Sequence, residues 1–293
     1  MLKHKLAGIL SGLLIITTTS YVLLDTFVIP KSYQTVAASS SSSSASASTT
    51  STSSLSSSSQ ASNSTIKVTE QTYKGTQVYV ADITLDSIES LRSAFASNTF
   101  GKNVTAKTST IASENNATLA INGDFYGAQE NGIVIRNGEV YRTSVKSGTD
   151  VLCISKDGSF KIVSGSEIDV DQLVEDGIWQ AFSFGPGLVV DGEIAVSSNE
   201  EVGKAMASNP RTAIGYISEN HYVFVVSDGR TSESAGLSLS ELATFMKNLG
   251  CTQAYNLDGG GSSTMYYNGS VINNPTTTGR ISERSVSDII YIQ

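Results

Sequence analysis

The chain has 293 residues, a formal net charge of −8, and only two histidines and two cysteines. Its Lys and Arg residues are not clustered beyond the extreme N-terminus, which argues against nucleic acid as a partner. So few His and Cys residues, with no CxxC, exclude a Cys/His zinc site.

Residues 6–24 form an apolar run after Lys3, His4 and Lys5, interrupted by polar but uncharged Thr17, Thr18, Thr19 and Ser20. About 20 helical residues span the ~30 Å hydrocarbon core, so the run is just long enough to cross a membrane. The basic flank places the N-terminus inside and the rest of the chain outside. A cleaved signal peptide competes with a retained signal anchor. We read the anchor, because the run is long and the best small-residue cleavage site, Val36-Ala37-Ala38, lies well beyond it. Residues 1–36 are therefore expected to be a cytoplasmic stub plus a transmembrane segment. The protein would be single-pass with an extracytoplasmic C-terminal domain, or secreted if the segment is cleaved.

Residues 37–65 are nearly all Ser, Thr and Ala. They cannot bury enough apolar surface to offset their ordering entropy and read as a disordered linker with a reach of about 30 Å. Residues 66–293 are left for one large domain, big enough to bury its own core.

Within that domain, residues 73–85 alternate and read as a strand. Residues 86–96 read as a helix, with Asp86 as cap and Glu89 three residues on. A second helix is expected over 108–115 and a strand over 118–122. Asn137-Gly138, Asp191-Gly192 and Asn268-Gly269 each sit between apolar-alternating runs and predict hairpins. Residues 212–217 and 221–227 form another. The clearest helix is 238–249: Leu239, Leu242, Ala243, Met246 and Leu249 keep one stripe, Ser238 or Ser240 caps it, and Gly250 ends it. Strands over 253–257 and 288–292 complete the set. Many hairpins with few helices predict an α+β domain with a mixed, mainly antiparallel sheet. Cys153 and Cys251 are expected as separately buried thiols, since a domain of this size needs no bridge.

The sharpest chemical feature is Asn256-Leu257-Asp258-Gly259-Gly260-Gly261-Ser262-Ser263-Thr264, where a strand runs into three glycines flanked by a carboxylate and hydroxyls. Glycines let backbone N–H groups turn toward an anion such as phosphate. A Walker loop is excluded, because no GK[ST] follows and a hairpin comes next. The plain alternative is a glycine bulge ending a strand. Asn122-Gly123-Asp124-Phe125-Tyr126-Gly127, also at a strand end, suits sugar recognition through polar groups and a ring face; a simple Asx turn is the alternative. Arg211, at the start of a strand, is a natural phosphate clamp, against the commoner surface ion pair. Ser227-Asp228-Gly229-Arg230 reads as a turn, Gly185-Pro186-Gly187 as scaffolding, and Glu283-Arg284 as a charged pair before the last strand.

In this order the stretches AINGDFYG (120–127), FGPGLVVDGE (184–193), NPRTAIGY (209–216), VSDGR (226–230), GLSLSELATFM (236–246), NLDGGGSSTM (256–265) and SERSVSDIIYI (282–292) resemble the phosphodiester glycosidase family. The resemblance covers most of residues 118–293. Two departures stand out: Asp124 precedes the two aromatics where the family often has Gly or Ala, and Ser285 follows Arg284 where it often has Pro.

The resemblance implies hydrolysis of a glycosyl phosphodiester at the sugar C1–O bond, in a cell-envelope or extracellular polysaccharide. The leaving group is then a phosphate monoester, whose conjugate acid has a pKa of about 6. General-acid help matters less than charge stabilisation and one carboxylate for the oxocarbenium-like carbon or the attacking water. On this reading Arg211 and Arg284 hold phosphate, and the Gly259, Gly260 and Gly261 backbone holds phosphate or a sugar oxygen. Asp258 is base or nucleophile, with Asp124, Asp228 and Glu283 competing for a second role. Asn122 with Gly123, and Asn256, bind the sugar, and Ser262 and Ser263 line the site. The Asp residues leave room for a divalent ion such as Ca²⁺, although no stretch has EF-hand spacing. The other reading is a non-catalytic module that binds phosphorylated or anionic envelope polymer.

Overall fold

The computed structural model describes residues 2–35, 64–144, 148–196 and 208–293. The N-terminal run is helical (α1, Leu2–Phe27). The hydroxyls of Thr17 and Thr18 donate back to the carbonyl of Leu14. No helix among the described residues is long and apolar enough to cross a membrane. The residues expected to cross a membrane are thus helical, and the transmembrane expectation gains no support from them.

The chain after α1 does not simply leave. Strand Lys31–Thr35 pairs antiparallel with Thr99–Lys102, and Lys31 Nζ meets Asp25 at 2.7 Å. The approach is close enough to require glycine at position 101: a Cβ there would lie 2.1 Å from the Lys31 carbonyl oxygen. The serine-rich residues expected as a free linker lie outside the described residues, except that Ser64 and Thr65 belong to the domain and Thr65 opens its first strand.

Three large sheets build the domain, beside three two-stranded ones among the described residues. A seven-stranded sheet runs, edge to edge, Glu193–Ile194, Gly187–Val190, Gln253–Asn256, Arg211–Ser218, His221–Ser227, Thr76–Thr84 and Thr65–Tyr73. A five-stranded sheet runs Ser270–Val271, Met265–Tyr267, Leu119–Asn122, Asp288–Ile292 and Leu91–Phe95. A second five-stranded sheet holds Phe160–Ser164, Asp150–Ser155, Ile178–Phe182, Val134–Arg136 and Glu139–Arg142. The α+β class holds, but the ladders of these sheets are all antiparallel rather than mixed. The three Asn-Gly and Asp-Gly hairpins form as expected. Both turn residues have positive φ in each (54° and 79° at 137–138, 50° and 80° at 191–192, 47° and 88° at 268–269), as the tight hairpin turn demands.

The strand alternation sorts the core. Tyr79, Ala81 and Ile83 point into a cluster shared by the three sheets, with Leu119, Ile121, Leu152, Ile154, Phe224, Tyr255 and Ile290. Val78, Val80, Val223 and Val225 point the other way, onto the apolar stripe Leu239, Leu242, Ala243 and Met246 of helix Leu239–Asn248. That helix starts on a full capping box between Ser238 and Glu241. Cys153 and Cys251 are separate buried thiols, and burial pushes both up to about 12.

Two expectations change. Residues 86–96 carry Ile88, Leu91 and Phe95 at helical spacing, yet only Ile88–Ser90 makes a 3-10 turn, capped by Ser87 rather than Asp86. Leu91–Phe95 is a strand because it closes the edge of a sheet against Asp288–Ile292; pairing outweighs local period here. Residues 73–85 are not one strand either. Tyr73 ends one strand, Lys74 and Gly75 turn at φ 51° and 69°, and Thr76–Thr84 returns.

Candidate functional site

The stretch 257–264 is the crossing from the seven-stranded sheet to a five-stranded one: Gln253–Asn256 enters it and Met265–Tyr267 leaves it. At this crossing opens a groove of about 440 Å³, lined among others by Asn256, Asp258, Arg211, Arg230, Arg284 and Pro186. Among its lining residues Asp258 is the one carboxylate, and it shares the groove with three arginines.

Asp258 is held on several sides. Its Oδ1 accepts from the N–H of Gly259 at 2.9 Å. Its Oδ2 accepts from Ser262 Oγ at 2.5 Å and from Arg284 Nη2 at 2.9 Å. The side chain keeps 11% exposure, and that of Arg284 keeps 41%. Burial raises the Asp258 carboxyl above the usual carboxylate range, against the pull of Arg284 and Ser262. Arg284 also donates to the Gly259 carbonyl and to Ser262 Oγ, and its guanidinium lies 5.9 Å from the centre of the Phe125 ring. Phe125 adopts a left-handed φ of 65°, a conformation rare for a bulky residue.

Arg211 lines the same groove, with Nε donating to the Leu237 carbonyl at 2.8 Å. Asn256 gives its Nδ2 to the Gly185 carbonyl at 2.8 Å. Its buried Oδ1 has no hydrogen-bond partner, an uncommon state for a buried acceptor.

The glycines do a different job from the one expected. The N–H of Gly259 goes to Asp258 and that of Gly260 to the Pro210 carbonyl, so neither turns toward an anion. Gly260 has φ 63°, and a Cβ on it would sit 2.8 Å from Arg230 Nη2. It keeps the chain flat where an arginine lies across it. Ser262 is spent on Asp258 and Arg284. Ser263 is fully buried and does not line the groove.

The other candidate carboxylates lie elsewhere. Asp124 is fully buried, 2.9 Å from Arg136 Nη2, and accepts from the N–H of Ser183. Arg136 also reaches Asp288 at 2.8 Å, so one interior arginine joins two carboxylates. Gly123 lies against Asp288 and donates its N–H to that residue's carbonyl. Asp228 is a buried hub that accepts from the Asn274 N–H and from the side chains of Asn273 and Asn274. Glu283 accepts from the N–H and hydroxyl of Ser109, at the start of helix Thr108–Glu114. Asn122 is fully buried: Nδ2 donates to the Asp258 carbonyl at 2.7 Å, and Oδ1 accepts from Thr212 Oγ1 at 2.8 Å. It ties the Asp258 backbone in place instead of meeting a sugar.

Of the residues named from sequence, then, the structure gathers Asp258, Arg211, Arg284, Asn256, Gly259 and Gly260 at one groove. It puts Asn122, Gly123, Gly261, Ser262 and Ser263 behind it or against it, and Asp124, Asp228 and Glu283 outside it. Arg230, read only as part of a turn, belongs in the groove, as do Gly185 and Pro186 of the loop read as scaffolding. The signal for Arg230 lay in its position: an arginine directly after Gly229, where a tight turn needs left-handed backbone. Among the described residues no group of three or more His, Cys, Asp or Glu could hold a metal ion.

Known proteins share this fold and these motifs. Residues 115–293 match the phosphodiester glycosidase family model. The SPbeta prophage-derived uncharacterized protein YomE of Bacillus subtilis (strain 168) is 29% identical over 187 residues, which is 62% of this chain and 29% of that protein. The N-acetylglucosamine-1-phosphodiester alpha-N-acetylglucosaminidase of Mus musculus is 41% identical over 66 residues, 22% of this chain and 13% of that protein. The matched stretches therefore span less than a third of either relative's length. Among solved structures, the zebrafish N-acetylglucosamine-1-phosphodiester alpha-N-acetylglucosaminidase catalytic domain, auto-inhibited by its pro-peptide, superposes with a TM-score of 0.62. The match has 24% identity and covers 80% of this chain and 84% of that one. At that identity the likeness is one of fold.

Proposed function

The chain belongs to the phosphodiester glycosidase family, and from that premise we propose that it hydrolyses a glycosyl phosphodiester at the sugar C1–O bond. The observation that carries the reading is that, among the described residues, one carboxylate, Asp258, lines the groove together with Arg211, Arg230 and Arg284. An ordinary glycosidase needs a second carboxyl group to protonate a poor leaving group. A phosphate monoester leaves with a conjugate-acid pKa of about 6 and needs no such help. One carboxylate and several arginines are the set this reaction calls for.

In the proposed reaction a water oxygen bonds to C1 as the C1–O bond breaks, and the electron pair leaves with phosphate. Asp258 takes the water's proton; its raised pKa makes it a better base near neutral pH than an exposed aspartate. Arg211 and Arg284 hold the phosphate, whose charge grows as the bond breaks. The unpartnered Oδ1 of Asn256 accepts from a sugar hydroxyl. Among the described residues no second carboxylate lines the groove to release a covalent sugar–enzyme intermediate, and on that basis the product is expected with inverted anomeric configuration. The substrate we favour is a phosphodiester-linked polymer of the cell envelope. The support is the basic, apolar N-terminal segment, which reads as an export signal or anchor.

The test incubates the full chain and its Asp258→Asn variant with a panel of sugar-1-phosphodiesters and follows free sugar and its anomer by NMR. Release of inverted sugar by the parent and not by the variant is the expected result. A parent that binds the diesters and releases nothing would make the groove a binding module, a reading favoured by the internal hydrogen bonds that already engage both Asp258 oxygens.

A further inference from the structure

We propose that Arg230 forms a second anion subsite in the groove and selects a glycosyl diphosphate, two phosphoryl groups joined in series, over a single phosphodiester. The proposal rests on the hydrolytic reading only for the sugar end of the ligand; the anion subsite stands on its own observations.

The first observation is charge. The chain carries −8 overall, yet the groove lining holds three arginines against one carboxylate. One of the three, Arg284, is joined to that carboxylate at 2.9 Å. A phosphodiester brings one negative charge, which Arg211 and Arg284 meet in the proposed reaction. A third arginine lining the same groove, in so acidic a protein, is more than one diester requires.

The second is orientation. An exposed arginine is usually a mobile surface charge. Arg230 is not placed that way. Its backbone has φ 64°, a left-handed conformation that costs energy in a residue other than glycine and tends to persist at functional positions. Its Nε and Nη2 both donate to Asn209 Oδ1, at 3.2 and 3.0 Å. Both donors converge on one oxygen, which turns that edge of the guanidinium toward Asn209 and leaves Nη1 clear of the contact. Beneath, Gly260 supplies the flat backbone over which the guanidinium lies. Among the described residues no carboxylate forms an ion pair with Arg230.

The third is adjacency. Asn209, which holds Arg230, pairs its backbone with Leu237, and the Leu237 carbonyl holds Arg211 Nε. The two guanidiniums are thus anchored to the two residues of one backbone bridge. Two cations tied to one backbone bridge and lining one groove suit two phosphoryl groups joined in series. A planar guanidinium with fixed donors is also the group that best distinguishes a second phosphate from a neutral alcohol.

The probes are inorganic pyrophosphate and inorganic phosphate, titrated calorimetrically into the full chain at constant ionic strength. The parent is expected to bind pyrophosphate at least about tenfold more tightly than phosphate, the scale of one charge-assisted contact. In Arg230→Gln that ratio falls to within about twofold, and Arg230→Lys keeps part of it. A parent ratio near one, or an unchanged ratio in Arg230→Gln, overturns the proposal. Sugar release from single phosphodiesters is scored in parallel. A protein that hydrolyses them without preferring pyrophosphate loses the second subsite and keeps the function. One that prefers pyrophosphate and releases no sugar keeps the subsite and loses the hydrolytic reading.

Discussion

The molecule contains two arginine–carboxylate clusters built from the same groups and put to opposite uses. In the groove, Arg284 meets Asp258 with 41% and 11% of the side chains exposed. In the interior, Arg136 joins Asp124 and Asp288 with exposures of 1% or less. The interior cluster is closed: Arg136 also donates to the carbonyls of Ile135 and Ala181 and lies 4.0 Å from the Phe182 ring centre. It ties the 122–126 loop to the last strand and offers nothing to a ligand. The groove cluster is open on one side and keeps arginine donors facing solvent. Residue type is the same in both; access separates a site from a brace.

Asp258→Asn is the largest test of that contrast. It should lower sugar release by about a thousandfold, the scale of losing a general base, with little change in thermal unfolding. A variant that keeps its rate would reduce the groove cluster to a second brace. Arg136→Leu should do the reverse and destabilise the fold by ~3–5 kcal/mol in urea titration, because two carboxylates stay buried without their counter-charge. If it unfolds at the parent's denaturant midpoint, the interior cluster is not what holds the loop.

The interior cluster also has a signature in pH. Burial pushes the Asp288 carboxyl from 3.8 up to about 7, against the pull of Arg136. The folded state then keeps a proton that the unfolded chain gives up, so stability should fall as pH rises from about 4 to about 7. Asp288→Asn should flatten that slope in unfolding experiments run across the window; an unaltered slope would assign it elsewhere. Glu283→Gln is the smallest effect. Its carboxylate only docks on Ser109, so stability should drop by about 1 kcal/mol or less, with sugar release retained. A strong loss of activity would return Glu283 to the site.

These contrasts explain which parts of the site were legible in sequence. Asp258 and its glycines stand in one unbroken stretch, and a carboxylate between a buried strand and three glycines has few other uses. Asp124 stands in just as suggestive a stretch, but its partners lie 12 residues away in Arg136 and far along the chain in Asp288. Burial by distant partners leaves no local mark. The glycines misled in a subtler way: their small size was read correctly as a need for close approach, but what approaches is Pro210 and Arg230, not a phosphate. In the fold, hairpins with Asn-Gly or Asp-Gly turns declared themselves. The Lys74-Gly75 turn did not, and the strands Asp150–Ser155, Phe160–Ser164 and Ile178–Phe182 went unseen. In Asp150–Ser155, for example, the four middle residues are all buried, so no alternation marks it.

The strand at Lys31–Thr35 bears on how the domain can be set free. Thr35 pairs with Thr99, and Thr65 pairs with Thr84. The serine-rich stretch therefore starts and ends on the same folded body. A peptidase that cut it would nick the protein without shedding it, since the helix would stay clipped to the domain through the short strand and the Lys31–Asp25 pair. Release would depend on peeling that strand from Thr99–Lys102. The hold of the helix on the domain thus depends on Gly101, where the two backbones touch, rather than on the serine-rich stretch.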